Sequence, residues 1–150
     1  MDFFCKFLKW CWTNFFDLLT LISVILGWWL VHTLTIYRER KAEWRRFSSQ
    51  IVTDIEKIEE LALSYHKNKD RNIKLEEEII TKLDRINVKL QIISNNMKGV
   101  DFSKFTSFRK SILLNNFQTN KHSSFSYESD LIKNIINSAN TLITMLYELK

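Results

Sequence analysis

Residues 15–37 read FFDLLTLISVILGWWLVHTLTIY, and from Leu18 to Ile36 the only acidic or basic side chain is His32. At a helical rise such a stretch covers roughly 30 Å, the thickness of a bilayer's hydrocarbon core. A helix at the surface of a soluble core keeps a polar stripe, whereas this one is apolar nearly all round. The segment therefore reads as a transmembrane helix over 15–37. Two rival readings stand beside it. A secretory signal peptide needs small residues at a cleavage site, and the flank here is bulky and basic. A buried soluble helix is the other. Trp28 and Trp29 lie mid-span, away from the interfacial belt where tryptophan collects, a position that suits a partner helix better than lipid.

The flanks set an orientation. Arg38, Arg40, Lys41, Arg45 and Arg46 follow the apolar run, against Glu39 and Glu43, while the N-terminal side carries only Lys6 and Lys9. Basic residues are retained on the cytoplasmic face, so the C-terminal part is expected inside the cell and the short N-terminus outside. The five basic residues are placed to meet lipid head groups, and the net charge of +5 need not signal nucleic acid.

With 150 residues, the chain outside the anchor holds one small domain. Proline is absent and glycine occurs only as Gly27 and Gly99. Tight turns draw on both residues, so the composition predicts long helices joined by short polar loops. The expectation is an all-α chain: an aromatic interfacial arm over 1–14, a single transmembrane helix over 15–37 and a cytoplasmic antiparallel helical bundle over 38–150.

The arm, MDFFCKFLKWCWTN, has too many aromatic residues for a solvated tail. It reads as a helix lying in the head-group region, or as the start of a longer, tilted membrane helix. Cys5 and Cys11 match neither a redox nor a zinc spacing. They read as two apolar residues, with an intermolecular disulfide in an oxidising compartment or reversible acylation as alternatives. Beyond the anchor, Phe47, Ile51, Ile55, Ile58, Ala62 and Tyr65 mark one apolar face of a helix that continues the anchor to about Asn68. Residues 66–72 read as a polar loop. Asn72 caps a helix to Met97 whose seam is Ile79, Leu83, Ile86, Leu90, Ile93 and Met97. Glu76, Glu77 and Glu78 read as solvated charges favoured by the helix dipole. Asn95, Asn96 and Gly99 end that helix. A third helix is expected from Asp101 or Ser103 to Phe117, buried through Phe102, Phe105, Phe108, Ile112 and Leu113. A last one is expected from about Tyr127 to Leu149, buried through Leu131, Ile135, Ala139, Leu142 and Leu146.

Catalytic and cofactor patterns do not emerge. Two glycines make no phosphate-cradling loop. His32, His66 and His122 stand in neither a Glu-x-x-His pair nor an HExxH motif. No catalytic, cofactor-binding or metal-binding set is therefore expected, and the chain reads as no enzyme. His32 is either a functional group in the membrane or a neutral side chain hydrogen-bonded near the cytoplasmic face.

Asp17, Thr20, Ser23, Gly27 and Val31 follow steps of three and four down one side of the anchor. Ser23-x-x-x-Gly27 is a small-xxx-small pattern that lets helices approach, and the stripe carries polar groups, so it points to self-association as a homo-oligomer in the bilayer. Lys67, Lys69, Arg71 and Lys74 form a basic patch for a partner or nucleic acid, or else a solvated surface. Lys104, Arg109, Lys110 and Lys121 form another.

The juncture GWWLVHTLTIYRERKAEWRR, Gly27 to Arg46, resembles small membrane-anchored effector proteins of bacterial anti-phage loci, including retron systems. The shared pattern is an apolar helix ending in Gly-Trp, then a His, then an Arg-rich helix start. The resemblance implies an inner-membrane effector that arrests growth on infection, with a protein partner or ribonucleoprotein from the same locus. The alternatives are a membrane adaptor whose bundle recruits a cytoplasmic protein, and a phage-encoded holin-like or exclusion protein.

Overall fold

Scarce glycine and absent proline give a chain built of helices. A computed structural model of the protein describes residues 2–97, 99–114, 117–119 and 122–149, with Asp2 and Cys11 described by their backbone alone. Among the described residues there are five helices and no strand: α1 (Asp2–Thr13), α2 (Phe15–Lys67), α3 (Ile73–Asn96), α4 (Phe102–Leu113) and α5 (Asp130–Glu148). The chain divides into two units, residues 1–45 and 46–150.

In the first unit α1 passes into α2 with a single residue, Asn14, outside the helices. The backbone hydrogen bonds keep helical spacing across it: Asn14 N donates to Trp10 O at 3.0 Å and Leu18 N to Asn14 O at 2.9 Å. The arm is helical, and its aromatic side chains, Phe3 and Trp12 among them, are exposed. Cys5 is an exposed free thiol, while the Cys11 side chain lies outside the described residues. The apolar part of α2 is long and apolar enough to cross a membrane, with mean hydropathy 1.8 over an 18-residue window. None of that window is buried within the chain. An apolar surface of this extent is unfavourable in water and requires cover from lipid or protein.

The second unit has the core. Ile51, Ile55, Ile58, Ala62 and Tyr65 of α2 are fully buried, as are Ile79, Leu83, Ile86, Leu90 and Ile93 of α3. Phe105, Phe108 and Ile112 of α4 and Leu131, Ile135, Ala139, Leu142 and Leu146 of α5 complete it, joined by Val52, Ile132 and Met145. These are most of the apolar positions that the periodicity marks, and together they form a helical bundle; Phe47, Met97, Phe102 and Leu113 are only half-buried. Tyr65 meets Glu76 and Asp54 meets Lys89 (2.6 Å), which ties α2 to α3 at both places. Arg109 of α4 bonds Asp84 of α3 at 3.0 Å, and Ser111 of α4 bonds Ser138 of α5 at 2.8 Å.

Local chemistry sets the helix ends. Asn72 Oδ1 accepts from Leu75 N at 3.2 Å, Asp101 Oδ1 from Ser103 N at 2.9 Å, and Ser129 caps α5. Gly99 follows α3 at a φ of +104°, a conformation that side chains disfavour. Two boundaries differ from expectation. α4 stops at Leu113, because Phe117 turns in to pack on Tyr65 with ring centroids 5.0 Å apart. α5 starts at Asp130 and not at Tyr127, because Ser129 takes the N-cap.

Candidate functional site

Two places concentrate side chains with something to do beyond core packing. The first is the exposed face of the apolar part of α2. Thr20 and Ser23 sit on this face, with Asp17 in the first turn of α2, Gly27 mid-span and Val31 exposed. The hydroxyls are satisfied within their own helix: Thr20 donates to Phe16 O at 2.7 Å, Ser23 to Thr20 O at 2.7 Å, and Thr35 to Val31 O at 2.8 Å. The stripe therefore needs no partner to pair its hydroxyl protons, and what it offers another helix is close packing. A side chain added at Gly27 would meet nothing within 4 Å. The trough at Gly27 is open, and the rest of the chain does not use it.

On the same helix His32 lies parallel to Trp28, with ring centroids 5.4 Å apart and planes inclined by 3°. The i to i+4 spacing puts the two rings one above the other. Arg38, Arg40, Lys41, Arg45 and Arg46 are all exposed, and none of them is in an ion pair among the described residues.

The second place is a buried polar cluster where α2 ends and α3 begins. The Tyr65 hydroxyl donates to Glu76 Oε1 at 2.5 Å. Arg71 clamps the same carboxylate, Nε to Oε1 at 2.8 Å and Nη2 to Oε2 at 2.9 Å. Glu76 is 1% exposed. The hydrogen bonds from Arg71, with those from Tyr65, hold its carboxyl below the usual range against the opposing effect of burial. Burial and the Glu76 carboxylate push the Tyr65 phenol up to about 12.

His66 stands edge-on to Tyr65 and fully buried. Its Nε2 lies 2.9 Å from the Ile112 carbonyl oxygen, which accepts only, so Nε2 bears the proton. His122 does the same with the Asn68 carbonyl at 3.0 Å. The Nδ1 atoms of both rings are buried and have no hydrogen-bond partner among the described residues. Burial lowers the His66 pKa, and His122 lowers it further. The His66 carbonyl accepts from Phe125 N at 2.8 Å, which pins the segment before α5 onto the end of α2. Among the described residues no three His, Cys, Asp or Glu side chains form a metal-holding group.

This cluster corrects two readings of the sequence. Glu76 is not a solvated helix-start charge, and His66 is not in a loop but on the buried side of α2. Both signals were present. Glu76 stands three residues before Ile79 and continues the seam backwards, and His66 stands four after Ala62 on the apolar face. The cluster also divides the basic patch. Arg71 is committed to Glu76, and Lys67 Nζ sits 3.2 Å above the centre of the Tyr127 ring. Lys69 and Lys74 remain exposed. Of the other basic group, Arg109 pairs with Asp84, and Lys121 lies outside the described residues.

Lys104 and Lys110 border an open groove of about 520 Å³ between α4 and α5, lined mainly by serines and asparagines.

Comparison of the chain with protein families, with curated proteins and with solved structures finds no match in any of the three.

Proposed function

We propose that this protein is a single-pass effector of the inner membrane, not an enzyme, in which α2 anchors a cytoplasmic antiparallel bundle and the anchors self-associate when triggered. The observation that carries this reading is the apolar part of α2. It is wholly exposed, its one glycine opens onto empty space, and five exposed basic residues follow it. Lipid covers such a surface, and the basic cluster holds the C-terminal side in the cytoplasm. The pairs Tyr65–Glu76 and Asp54–Lys89 support an antiparallel course for α2 and α3, since the more distant residues in sequence pair further from the turn.

A role in anti-phage defence rests on the resemblance of residues 27–46 to membrane effectors of such loci. In that role a protein or ribonucleoprotein partner from the same locus holds the bundle until infection. A single helix lines no pore, so membrane damage requires several anchors together. An added Cβ at Gly27 meets no described atom within 4 Å, so Gly27→Leu fills the open trough. Full-length protein bearing a donor or an acceptor dye, reconstituted in vesicles, is expected to show energy transfer that unlabelled protein competes away. Gly27→Leu is expected to lose it. Equal transfer in both, or none in the wild type, contradicts the reading.

A second reading has its own observation. The groove between α4 and α5 contains two lysines and no carboxylate, which suits an acidic helical segment of a cytoplasmic partner. An adaptor working through this groove tolerates exchange of its anchor for an unrelated membrane helix.

A further inference from the structure

The end of α2 is closed by chain that belongs to no helix. Residues 122–127, between α4 and α5, lie across its last turn. His122 donates from Nε2 to the Asn68 carbonyl at 3.0 Å, and Phe125 N donates to the His66 carbonyl at 2.8 Å. Carbonyls at a helix C-terminus have no partner in their own helix, so this segment caps α2. Ring contacts add to the hold. His122 lies on Tyr65 with centroids 4.7 Å apart, Phe125 on His66 at 6.1 Å, and Lys67 Nζ sits 3.2 Å above the centre of the Tyr127 ring.

We propose that residues 122–127 form a strap that acid releases: protonation of His66 lifts it from the end of α2 while the bundle stays folded. This device does not depend on the anchors associating.

The hydrogen bonds of the His66 ring leave no place for a second proton. Nε2 already donates to the Ile112 carbonyl, and Nδ1 is buried with no partner among the described residues. A proton added at Nδ1 creates a buried donor with nothing to accept it. Burial, and after it His122, accordingly lower the His66 pKa against the Ile112 hydrogen bond. An imidazolium at this place has to reach water, so a group over it has to move.

Most of those groups are firmly held. Ile112 belongs to α4 and Tyr65 to α2. Phe117 packs on Tyr65 at 5.0 Å, and the backbone of the next residue, Gln118, bonds Tyr65 and Glu76. His122 and Phe125 are in no helix and only half-buried, so the strap yields first. The surrounding charges do not favour an imidazolium. Glu76 of α3 is paired with Arg71 and the Tyr65 hydroxyl. Lys67 of α2 is itself a cation, α4 meets the ring with the Ile112 carbonyl, and Glu128 and Asp130 at the start of α5 are exposed. The closed strap thus favours the neutral ring, and its release is favoured as pH falls below 6.5.

The test follows amide hydrogen exchange of the full-length protein in detergent micelles by NMR at pH 7.5 and 5.5, as protection factors corrected for the intrinsic effect of pH. Expected in the wild type is a several-fold loss of protection at Phe125 on acidification. About tenfold is the ceiling for one histidine that regains its ordinary pKa of 6.5 on release. Low denaturant is expected to leave exchange at Phe125 unchanged, because local opening exposes little surface, and to speed it at Leu83 and Ile86 of α3, which requires unfolding. The loss at Phe125 is expected to track the His66 ring signals as they titrate. It is expected to vanish in His66→Gln, whose amide still donates to a carbonyl but takes up no proton. Protection at Phe125 that does not change with pH, that follows denaturant as α3 does, or that falls equally in His66→Gln overturns the proposal. If His66→Gln does not fold, a wild-type loss at Phe125 out of step with the His66 ring signals overturns it.

Discussion

The Tyr65 hydroxyl and the Glu76 carboxylate meet at 2.5 Å across the turn between α2 and α3, and Arg71 holds the second side of the same carboxylate. A buried charge is stable only when its lone pairs are occupied. Three hydrogen bonds do this for Glu76, and they tie together the end of α2, the loop and the first turn of α3.

Removing that charge weakens the bundle. Glu76→Gln replaces charge-assisted bonds by neutral ones and costs about 2 kcal/mol. Glu77 is exposed, and Glu77→Gln leaves stability unchanged. Thermal unfolding of the full chain in detergent, followed by circular dichroism of the bundle, compares the two. A Tm lower by several degrees for Glu76→Gln alone is the expected result.

The same cluster sets a pH dependence. The His66 pKa lies below its ordinary 6.5, so the fold favours the neutral ring. Its contribution is fully present above 6.5 and is lost as pH falls below that value. Among the described residues the groups facing His66 are His122, Tyr65, Phe117, Phe125 and the Ile112 carbonyl, and none of these supplies a negative charge to an imidazolium. Glu76 adds a second loss below its ordinary 4.5, because its folded carboxyl is held lower. Tm is expected to fall between pH 7.5 and 5.5 in the wild type and to change less in His66→Gln. An equal fall in both contradicts the assignment.

Gly99 sits at a φ of +104°. An added Cβ would lie 3.5 Å from Leu149 Cδ2, an ordinary contact, so the penalty for Gly99→Ala is in the backbone. It is roughly 1–3 kcal/mol. Chemical denaturation that shows the midpoint shifted and the slope unchanged is the check.

The exposed basic cluster after the anchor is expected to fix topology. Arg38→Glu, Arg40→Glu and Lys41→Glu together turn the charge of residues 38–46 from +3 to −3 and leave two basic residues on each side of the apolar segment. A single cysteine introduced at exposed Lys69, in a chain with Cys5 and Cys11 replaced by serine, reports the side. It is expected to be shielded from an impermeant thiol reagent in intact cells of the parent and labelled in a fraction of the charge-reversed chains.

The core of the bundle was legible because its helices are amphipathic with regular steps: every seam residue from Ile79 to Ile93 is fully buried. The Asn72 cap and the break at Gly99 were legible from local chemistry. The buried polar cluster was not read, because a carboxylate and an imidazole on an apolar face look like solvated groups until their partners are known. Those partners lie at sequence distances that periodicity does not address: Tyr65 eleven residues from Glu76, and Ile112 forty-six from His66. The end of α4 was misjudged for a related reason. No glycine or proline stands between Phe102 and Phe117 to mark an end, yet Phe117 packs against Tyr65 from a turn.

The central claim, that associated anchors breach the membrane, is tested most directly in cells. Membrane potential is followed with a voltage-sensitive dye during induction of the wild type and of Gly27→Leu, with and without phage infection, with both proteins confirmed in the membrane fraction. The account predicts depolarisation by the wild type and none by Gly27→Leu. A steady potential with the wild type under both conditions, or equal depolarisation by the two proteins, contradicts it.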